Sequence, residues 1–296
     1  MKILNIGSLN IDYVYSVDHI ILPGETEATA SREVFLGGKG MNQSCALAKA
    51  GAEVWHAGLI GADGKMFLDA CREYGVRSDY IRTVDGPSGH TVIQIDRHAQ
   101  NSILLYGGAN RRLTEDFVNE ALDGFSEGDI LLLQNEVNLL PYIVDRAYEK
   151  GLRIALNPSP YNSLLDDVDM GKIGIFLLNE VEGFQLTGES EPEAILADLR
   201  RRFPHAAILL TLGKQGAVYS DGGIRLRQPI VPVKAADTTA AGDTFTGYFL
   251  AGLCEGLPME EILRRSAMAS AIAVTRHGAV PSIPWKDEVL QALAAL

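Results

Sequence analysis

Short apolar runs alternate along this chain with longer segments in which apolar residues recur every three or four positions. The first four such segments are KILNIG, MNQSCALAKAG, VWHAGLIG and KMFLDACREYG. They predict a strand, a helix, a second strand and a second helix, in that order. Strands that alternate with amphipathic helices are typical of βα units and of a largely parallel sheet. The pattern therefore predicts the α/β fold class.

The same alternation returns in the second half of the chain. Buried strands that end in polar residues, glycine or proline are predicted within residues 129–136, 153–160, 173–182 and 206–216. Ligands of open α/β sheets bind outside the carboxyl ends of the strands. We therefore expect one ligand-binding crevice at these ends, lined by Glu136, Asn157, Asn179, Glu182 and residues 211–216.

Two segments, residues 12–36 and 88–109, interrupt this rhythm with alternating β-branched residues and no intervening helix. The second segment resembles a hairpin that turns near residues 98–101. We predict that both segments form a small antiparallel subdomain on one edge of the main sheet, which can close over a ligand as a lid. No linker or internal repeat divides the chain, so residues 1–296 are predicted to form a single domain.

The charge balance argues against a nucleic-acid partner. The chain has 26 Lys and Arg residues against 38 Asp and Glu residues, a formal net charge of −12, which repels polyphosphate backbones at long range. A small phosphorylated ligand then requires a local positive group, such as the free N–H groups at the start of a helix.

The cysteines and the apolar runs indicate a cytoplasmic protein without membrane contact. The three cysteines, Cys45, Cys71 and Cys254, are widely spaced and form no C-x-x-C pair, as is typical of proteins in a reducing compartment. The N-terminus does not resemble a signal peptide, and no apolar run approaches the roughly 20 residues that a membrane span needs.

The segment 237–257 carries the strongest candidate chemistry, although the chain has no P-loop or dinucleotide-binding motif. Ala240, Ala241 and Gly242 precede an amphipathic helix that is predicted to begin near Asp243. Their small side chains would let a phosphate approach the backbone N–H groups. Asp243 either caps this helix or accepts the proton of an attacking hydroxyl group. The spacing alone leaves both alternatives open.

A second candidate segment covers residues 36–51. Paired glycines and Lys39 are predicted to end a strand, and Asn42 to open an apolar helix. Lys39 and Asn42, together with Asn10 and Asp12 after the first strand, supply the hydrogen-bonding groups that a sugar requires. The alternatives are an ordinary tight turn at the glycines and the start of a hairpin at Asn10 and Asp12.

Several motifs occur together and in one order: GSLNID at 7–12, PGET at 23–26, GGKGMNQ at 37–43, GGAN at 107–110, NPSP at 157–160, NEVE at 179–182, TLGKQG at 211–216, DTTAAGDTF at 237–245 and AIAVTRHGAVPSIPW at 271–285. Over essentially its full length the chain resembles the PfkB-type carbohydrate kinases, and within them the ribokinase branch. The resemblance implies a three-layer αβα sandwich with a β-sheet lid. It also implies transfer of the γ-phosphate of ATP to the 5-hydroxyl group of D-ribose.

Carried over by matching position, the resemblance implies a role for each motif residue. Asp243 would be the catalytic base, and the N–H groups of Ala240, Ala241 and Gly242 would form the anion hole. The residues implied to hold the sugar are Asn10, Asp12, Gly38, Lys39, Asn42, Glu136 and Asp243. The residues implied to hold the nucleotide are Asn179, Thr211, Gly213, Gly216 and Gly242.

Two metal ions and a dimer are implied in the same way. Glu182 would hold the Mg²⁺ that accompanies ATP, through water. An activating K⁺ would be held mostly by backbone carbonyl groups, at Asp237, Thr239, Ala273, Arg276, Gly278 and Ser282. Arg276 can contribute only its carbonyl oxygen, because its cationic side chain cannot be a ligand. A homodimer through the lid is expected, and the apolar residues 103–106 are compatible with it.

Two positions depart from the family pattern, and one of them bears on the choice of sugar. Thr91 and Thr239 stand where apolar or small residues are expected, and a hydroxyl group at Thr91, in the lid, could alter which pentose fits. The alternatives are a kinase for 2-deoxyribose, for another sugar or for a nucleoside, and a sugar-binding regulator on a kinase scaffold. The intact residues 240–243 disfavour the regulator, and an aromatic content of only 7% disfavours the nucleoside.

Overall fold

Two separate sheets and a set of helices make up the computed structural model of this protein, which describes residues 1–98 and 100–295. The strands are β1 (Ile3–Ile6), β2 (Asn10–Ser16), β3 (Ser31–Gly37), β4 (Val54–Ile60), β5 (Arg77–Thr83), β6 (Gly89–Ile95), β7 (Asn101–Tyr106), β8 (Ile130–Gln134), β9 (Arg153–Asn157), β10 (Ile175–Asn179), β11 (Ala207–Thr211), β12 (Ala217–Ser220) and β13 (Arg225–Gln228). The α-helices are α1 (Lys39–Lys49), α2 (Lys65–Tyr74), α3 (Glu115–Asp123), α4 (Leu140–Glu149), α5 (Glu180–Thr187), α6 (Pro192–Arg202), α7 (Ala241–Glu255), α8 (Met259–Ala273) and α9 (Lys286–Ala294).

The larger sheet has nine strands in the order β13-β12-β11-β10-β9-β8-β1-β4-β5. Its strands from β11 to β5 pair in parallel, and only the β11–β12 and β12–β13 pairs are antiparallel. All four residues of the interior strand β1 are buried, because helices cover both faces of a parallel sheet. The predicted largely parallel sheet is confirmed.

Alternation along the strands divides the apolar core between the two faces of this sheet. Ile3 and Leu132 belong to the cluster beneath α1, α2, α7, α8 and α9. Leu4 and Leu133 belong to the cluster on the opposite face, beneath α3, α4 and α6. The result is a helix–sheet–helix sandwich, which confirms the predicted αβα fold class.

The smaller sheet has four strands in the order β3-β2-β6-β7, all contributed by the two segments that interrupt the βα rhythm. The expectation that it is wholly antiparallel is wrong, because β2 and β6 pair in parallel, with Asp12 opposite Thr91. These strands follow the parallel strands β1 and β5 and therefore enter the small sheet in the same direction. The hairpin between β6 and β7 is antiparallel; the predicted turn includes Ala99, which lies outside the described residues.

The first helix begins three residues earlier than the sequence indicates. Helix α1 starts at Lys39, not at Asn42, because Gly38 reverses the chain with a φ of 88°, a left-handed value that glycine adopts without strain. Asn42 therefore lies on the first turn of α1. Across the described residues, none of the helices combines the length and the apolarity that crossing a membrane would require.

Candidate functional site

Two neighbouring cavities lie at the carboxyl edge of the large sheet. The smaller, of about 230 Å³, is lined by predicted site residues that include Lys39, Asn179, Glu182 and Asp243. The larger, of about 480 Å³, is lined by the predicted Thr211, Gly213 and Gly216 and by a mostly apolar segment, residues 228–233. Both cavities are lined by Thr211, Thr238, Ala241 and Gly242. The start of α7 is therefore the point at which the cavities meet.

The backbone at the start of α7 is arranged to receive an anion. Ala240 has a φ of 58°, a strained value for a residue other than glycine and one that is retained mainly at functional sites. A Cβ atom on Gly242 would meet nothing within 4 Å apart from the adjoining backbone of α7, so this position is open to a ligand. The first N–H groups of a helix have no carbonyl partner four residues earlier. Ala241 N–H makes only a long bond of 3.3 Å, to the carbonyl oxygen of Thr238.

Asp243 is buried in the first turn of α7, and its carboxylate is directed toward α1. Oδ2 accepts a hydrogen bond of 2.9 Å from Asn42 Nδ2, and Oδ1 accepts one of 2.8 Å from Gln43 Nε2. Since both oxygens face side chains of another helix, the alternative that Asp243 only caps α7 is not supported. Each oxygen keeps a further lone pair for a ligand.

The paired glycines of the GGKG motif do more than form a turn. A Cβ atom on Gly37 would lie 1.9 Å from Oδ2 of Asp12. A Cβ atom on Gly38 would lie 2.9 Å from the backbone nitrogen of Asn10. These glycines therefore let strand β3 and the start of α1 lie directly against the polar end of β2.

Each of the predicted polar residues near these glycines is held by a neighbour. Asn110 Nδ2 donates a hydrogen bond of 2.7 Å to Asn10 Oδ1. Thr91 Oγ1 donates one of 2.5 Å to Asp12 Oδ1. Glu136 accepts hydrogen bonds from the hydroxyl group of Ser8 and, at 3.1 Å, from the backbone N–H of Lys39. The side chains are thereby oriented before any ligand binds.

The charges of this region influence one another. Burial raises the pKa of Asp12 to about 6, and Glu136 adds to this shift while the Thr91 hydrogen bond opposes it. Burial also raises the pKa of Glu136. Burial disfavours the charged ammonium group of Lys39, but the carboxylates of Asp243 and Glu136 outweigh it and raise the pKa of Lys39. Lys39 is therefore the positive charge that this acidic site retains.

Comparison with known proteins agrees with this geometry. The family model described as pfkB family carbohydrate kinase matches residues 1–286. The chain belongs to this family. It is 35% identical over 297 residues to the ribokinase of Haemophilus influenzae, with 97% of each chain covered. It is 32% identical over 293 residues to the ribokinase of Bacillus subtilis, with 98% of each covered.

Solved structures give the same result. The structure of Arabidopsis thaliana ribokinase complexed with ribose and ATP superposes with a TM-score of 0.86 at 31% identity, covering 99% of this chain and 98% of that one. The ribokinase of Thermotoga maritima superposes with a TM-score of 0.89 at 32% identity, covering 99% of each chain. This pfkB family member is a carbohydrate kinase with ATP as its co-substrate, and the predicted resemblance is confirmed.

In this pfkB kinase the NEVE motif forms the start of α5. Asn179 accepts a hydrogen bond of 2.9 Å from the N–H of Glu182, and Glu182 Oε2 accepts one of 3.0 Å from the N–H of Asn179. This reciprocal pair is a capping box, so the helix-start role is real for both residues. Glu182 also lines the smaller cavity, and the capping box engages only one of its oxygens. The free oxygen fits a Mg²⁺ held through water.

The residues predicted to hold a monovalent cation in the pfkB kinase come from two places, the loop before α7 and the end of α8 with the loop after it, and Asp237 joins the two loops. Asp237 Oδ2 accepts a hydrogen bond of 3.0 Å from Gly278 N–H, and Oδ1 accepts bonds from the N–H and hydroxyl groups of Thr239 at 2.9 and 2.6 Å. Partial burial opposes ionisation, but these hydrogen bonds outweigh it and lower the pKa of Asp237.

The other residues predicted to bind the cation differ in which of their groups are already engaged in bonds within the protein. The side chain of Arg276 pairs with Glu288, which leaves only its backbone for the cation loop. The carbonyl oxygen of Ala273 already accepts the N–H of Arg276 at 3.0 Å. Ser282 is fully buried, and its hydroxyl group donates to the carbonyl oxygen of Ala279 at 2.7 Å. The set therefore offers a cation the carboxylate of Asp237 and backbone carbonyl groups, of which that of Ala273 is already engaged.

Sequence reasoning missed several residues of the pfkB kinase site. Gln43 and Asn110 lie within the quoted GGKGMNQ and GGAN motifs, so a signal was present, but neither was assigned a role. The apolar wall formed by residues 228–233 could not be found, because this segment has no helical or strand periodicity that distinguishes it from a surface loop.

Proposed function

We propose that this carbohydrate kinase phosphorylates the 5-hydroxyl group of D-ribose with ATP, giving ribose 5-phosphate and ADP. One observation carries the proposal: the buried carboxylate of Asp243 lies at the start of α7, where the two cavities meet. The family membership and the relatives named as ribokinases support the same reaction.

The chemical step requires a proton acceptor and a stabilised phosphoryl group. The 5-oxygen of ribose attacks the γ-phosphorus, its proton passes to Asp243, and the bond between the γ-phosphorus and the bridging oxygen breaks to release ADP. The N–H groups of Ala240, Ala241 and Gly242 stabilise the negative charge on the phosphoryl oxygens. The charge of Lys39 adds to this stabilisation.

The sugar side of the site offers unused polar groups. Asn42 donates its amide to Asp243, while its Oδ1 is fully buried and has no hydrogen-bond partner. A buried acceptor without a partner is costly, so a hydroxyl group that donates to Asn42 Oδ1 would bind favourably. Asn10, Asp12, Glu136 and the backbone at Gly38 and Lys39 would receive the remaining hydroxyl groups.

The larger cavity supports binding of the nucleoside part of ATP. Its volume of about 480 Å³ and its mostly apolar lining suit a nucleobase with its sugar. Thr211, Gly213 and Gly216 form one side of it. Asn179 and Glu182 lie at the phosphate end, where Glu182 would hold Mg²⁺ through water. When bound, Mg²⁺ neutralises charge on the phosphates.

Further parts of the proposal concern the surroundings of the site. The small sheet acts as a lid whose closure excludes water, so that phosphate is transferred to sugar and not to water. A second copy of the chain covers the exposed apolar residues of β7, which lies at the edge of the small sheet. K⁺ activates the kinase through the loops joined by Asp237. The free thiols of Cys45, Cys71 and Cys254 support a cytoplasmic location.

A kinase for 2-deoxyribose is the second candidate, and one contact favours it. Thr91 Oγ1 already donates a hydrogen bond to Oδ1 of Asp12, so this oxygen is less able to accept one from a sugar hydroxyl group. A deoxyribokinase of Salmonella typhi is 28% identical over 305 residues, with 99% of each chain covered.

Release of ADP in a coupled assay, over a panel of sugars and nucleosides with Mg²⁺ and K⁺ present, tests the proposal. We expect the highest kcat/KM for D-ribose. A higher value for 2-deoxyribose or for a nucleoside would replace the proposed substrate. Binding of ribose in calorimetry without release of ADP would instead indicate a sugar-binding regulator.

A further inference from the structure

A series of side-chain amide groups, linked by hydrogen bonds, reaches the carboxylate of Asp243, the proposed catalytic base. Gln43 Nε2 donates to Asp243 Oδ1 at 2.8 Å and to Asn157 Oδ1 at 3.3 Å. Gln43 Oε1 accepts from Gln134 Nε2 at 2.6 Å. Both amide hydrogens and the carbonyl oxygen of Gln43 are thus engaged by the protein. Gln43 therefore has no N–H group left for a ligand.

This hydrogen-bonded series continues from Gln134 away from the cavities. Gln134 Nε2 also donates to Asn5 Oδ1 at 3.1 Å, and Asn5 Nδ2 donates to Ser44 Oγ at 2.8 Å. Ser44 in turn bonds His56 Nδ1 at 2.8 Å. Burial lowers the pKa of His56 to about 4, so its ring is neutral near pH 7. Water cannot substitute for a lost partner among five of these residues, which are at most 1% exposed: Asn5, Gln43, Ser44, His56 and Gln134.

The direction of the hydrogen bonds made by Gln43 and Gln134 follows from their neighbours. A carboxylate can only accept, so Gln43 must present its NH₂ group to Asp243 and its oxygen to Gln134. Gln134 meets two acceptors, Gln43 Oε1 and Asn5 Oδ1, and must also present its NH₂ group. Rotation of the Gln43 amide by 180° would place oxygen against the carboxylate and NH₂ against NH₂. Gln134 therefore holds Gln43 in the one orientation that donates to Asp243.

We propose that Gln43 and Gln134 are positioning residues, which hold the carboxylate of Asp243 in the orientation that accepts the proton of the sugar hydroxyl group. The inference rests on the proposed role of Asp243. Asn42, the other donor to Asp243, keeps a buried Oδ1 without a partner, which the proposed function assigns to a sugar hydroxyl group. Gln43 is bound only to the protein and can keep the carboxylate oriented while the sugar binds and leaves.

Two substitutions of Gln134 separate orientation from packing. Gln134→Glu keeps the shape and, when assayed above the pKa of the new carboxyl group, replaces the donor by an acceptor, which turns the oxygen of Gln43 toward Asp243. Gln134→Met removes the donor, but Asp243 still attracts the NH₂ group of Gln43. We expect kcat to fall at least about tenfold in Gln134→Glu and less in Gln134→Met, with the KM for ribose within about twofold of wild type. A packing role predicts the opposite order.

Gln43→Met provides a second measurement in case the buried acid prevents folding. We expect it to lower kcat at least about tenfold with little change in KM. Asn138→Leu is the matched control: it removes an amide that bonds only the backbone of Leu113, and it should lower stability without lowering kcat.

To distinguish the outcomes, kcat is calculated from the concentration of enzyme that binds ribose, which calorimetry measures for each variant. Wild-type kcat in Gln43→Met, or a smaller loss in Gln134→Glu than in Gln134→Met, overturns the inference. Loss of turnover in Asp243→Asn in the same assay would still support Asp243 as the base, even where the Gln43 and Gln134 variants overturn their positioning role. Full turnover in Asp243→Asn would instead remove the proposed base itself.

Discussion

Asn42 Nδ2 donates a hydrogen bond of 2.9 Å to Oδ2 of Asp243, although the two residues are 201 positions apart in the chain. The bond joins the first turn of α1, which contains the last two residues of the GGKG motif, to the first turn of α7. The sugar-side and phosphate-side motifs thereby meet at one carboxylate. The predictions that follow examine this arrangement and its surroundings.

Asp243→Asn should retain binding of ribose and lose turnover. The amide has nearly the shape of the carboxylate but cannot accept the proton of the 5-hydroxyl group, and removal of a general base costs at least about 10²-fold in kcat. Calorimetry with ribose and the coupled ADP assay measure the two effects. Turnover like that of the wild type would contradict the proposed base.

Binding of ribose should weaken as the pH falls through about 6. Burial raises the pKa of Asp12 to about 6, and only the ionised carboxylate is a full acceptor for sugar hydroxyl groups. Below that pH the Kd should rise about tenfold per pH unit. Protonation of Asp12 has the opposite effect on the stability of the fold. Because the pKa of Asp12 is higher in the folded than in the unfolded state, its contribution to the free energy of unfolding is fully present below the unfolded pKa. This contribution is lost as the pH rises through about 6.

Calorimetry of ribose binding between about pH 5 and about pH 8 measures this dependence. In Thr91→Val the transition should move to higher pH, because the Thr91 hydrogen bond lowers the pKa of Asp12. Asp12→Asn serves as the control and should bind ribose with little dependence on pH in this range. A flat profile for the wild type would show that Asp12 does not contribute its charge to the sugar.

The kinase should run faster in K⁺ salts than in Na⁺ salts, and Asp237→Asn should reduce this difference. The carboxylate joins the two loops proposed to bind the cation, through bonds to Thr239 and Gly278. Asp221→Asn is the matched control, since Asp221 also accepts from backbone N–H groups, at Gly223 and Ile224. Equal sensitivity of both variants to the cation would argue against the proposed site.

Leu104→Glu should convert a dimer into monomers. Leu104 lies on the edge strand β7 and is 67% exposed, next to the exposed Ile103 and Leu105, so a charge there would oppose burial against a second copy. Phe184→Glu, on α5, is the control for an exposed apolar residue outside the small sheet. Sedimentation at micromolar concentration distinguishes the species; a monomeric wild type would contradict the dimer.

Gly37→Ala should destabilise the fold and disturb the sugar site together. The added Cβ atom would lie 1.9 Å from Oδ2 of Asp12, so either the strand or the carboxylate must move. Overpacking of this kind costs about 1–3 kcal/mol, and we also expect a higher KM for ribose. At Gly223 an added Cβ atom meets its nearest neighbour at 3.5 Å, so Gly223→Ala should unfold at a temperature close to that of the wild type.

Much of the architecture could be predicted because its signals are local. The strands that contain Leu132, Ala155 and Leu209 are short apolar runs with polar ends, and these properties are visible without any partner. The cluster of small residues before Asp243 likewise marks a helix start open to an anion. The direction of β2 against β6 could not be read in this way, because it depends on where β1 and β5 lie in the large sheet.

Chain order and periodicity by themselves determined the α/β class, the largely parallel sheet and a small β subdomain built from two separate segments, and the family resemblance determined the motif residues of the candidate site. Only the tertiary structure decided that Asp243 accepts hydrogen bonds from Asn42 and Gln43 and that Thr91 donates one to Asp12. It also decided that residues 228–233 form a wall of the larger cavity. The reason is physical. Periodicity reports which face of an element is buried, whereas a side-chain hydrogen bond reaches only about 3 Å and forms where folding brings distant segments together.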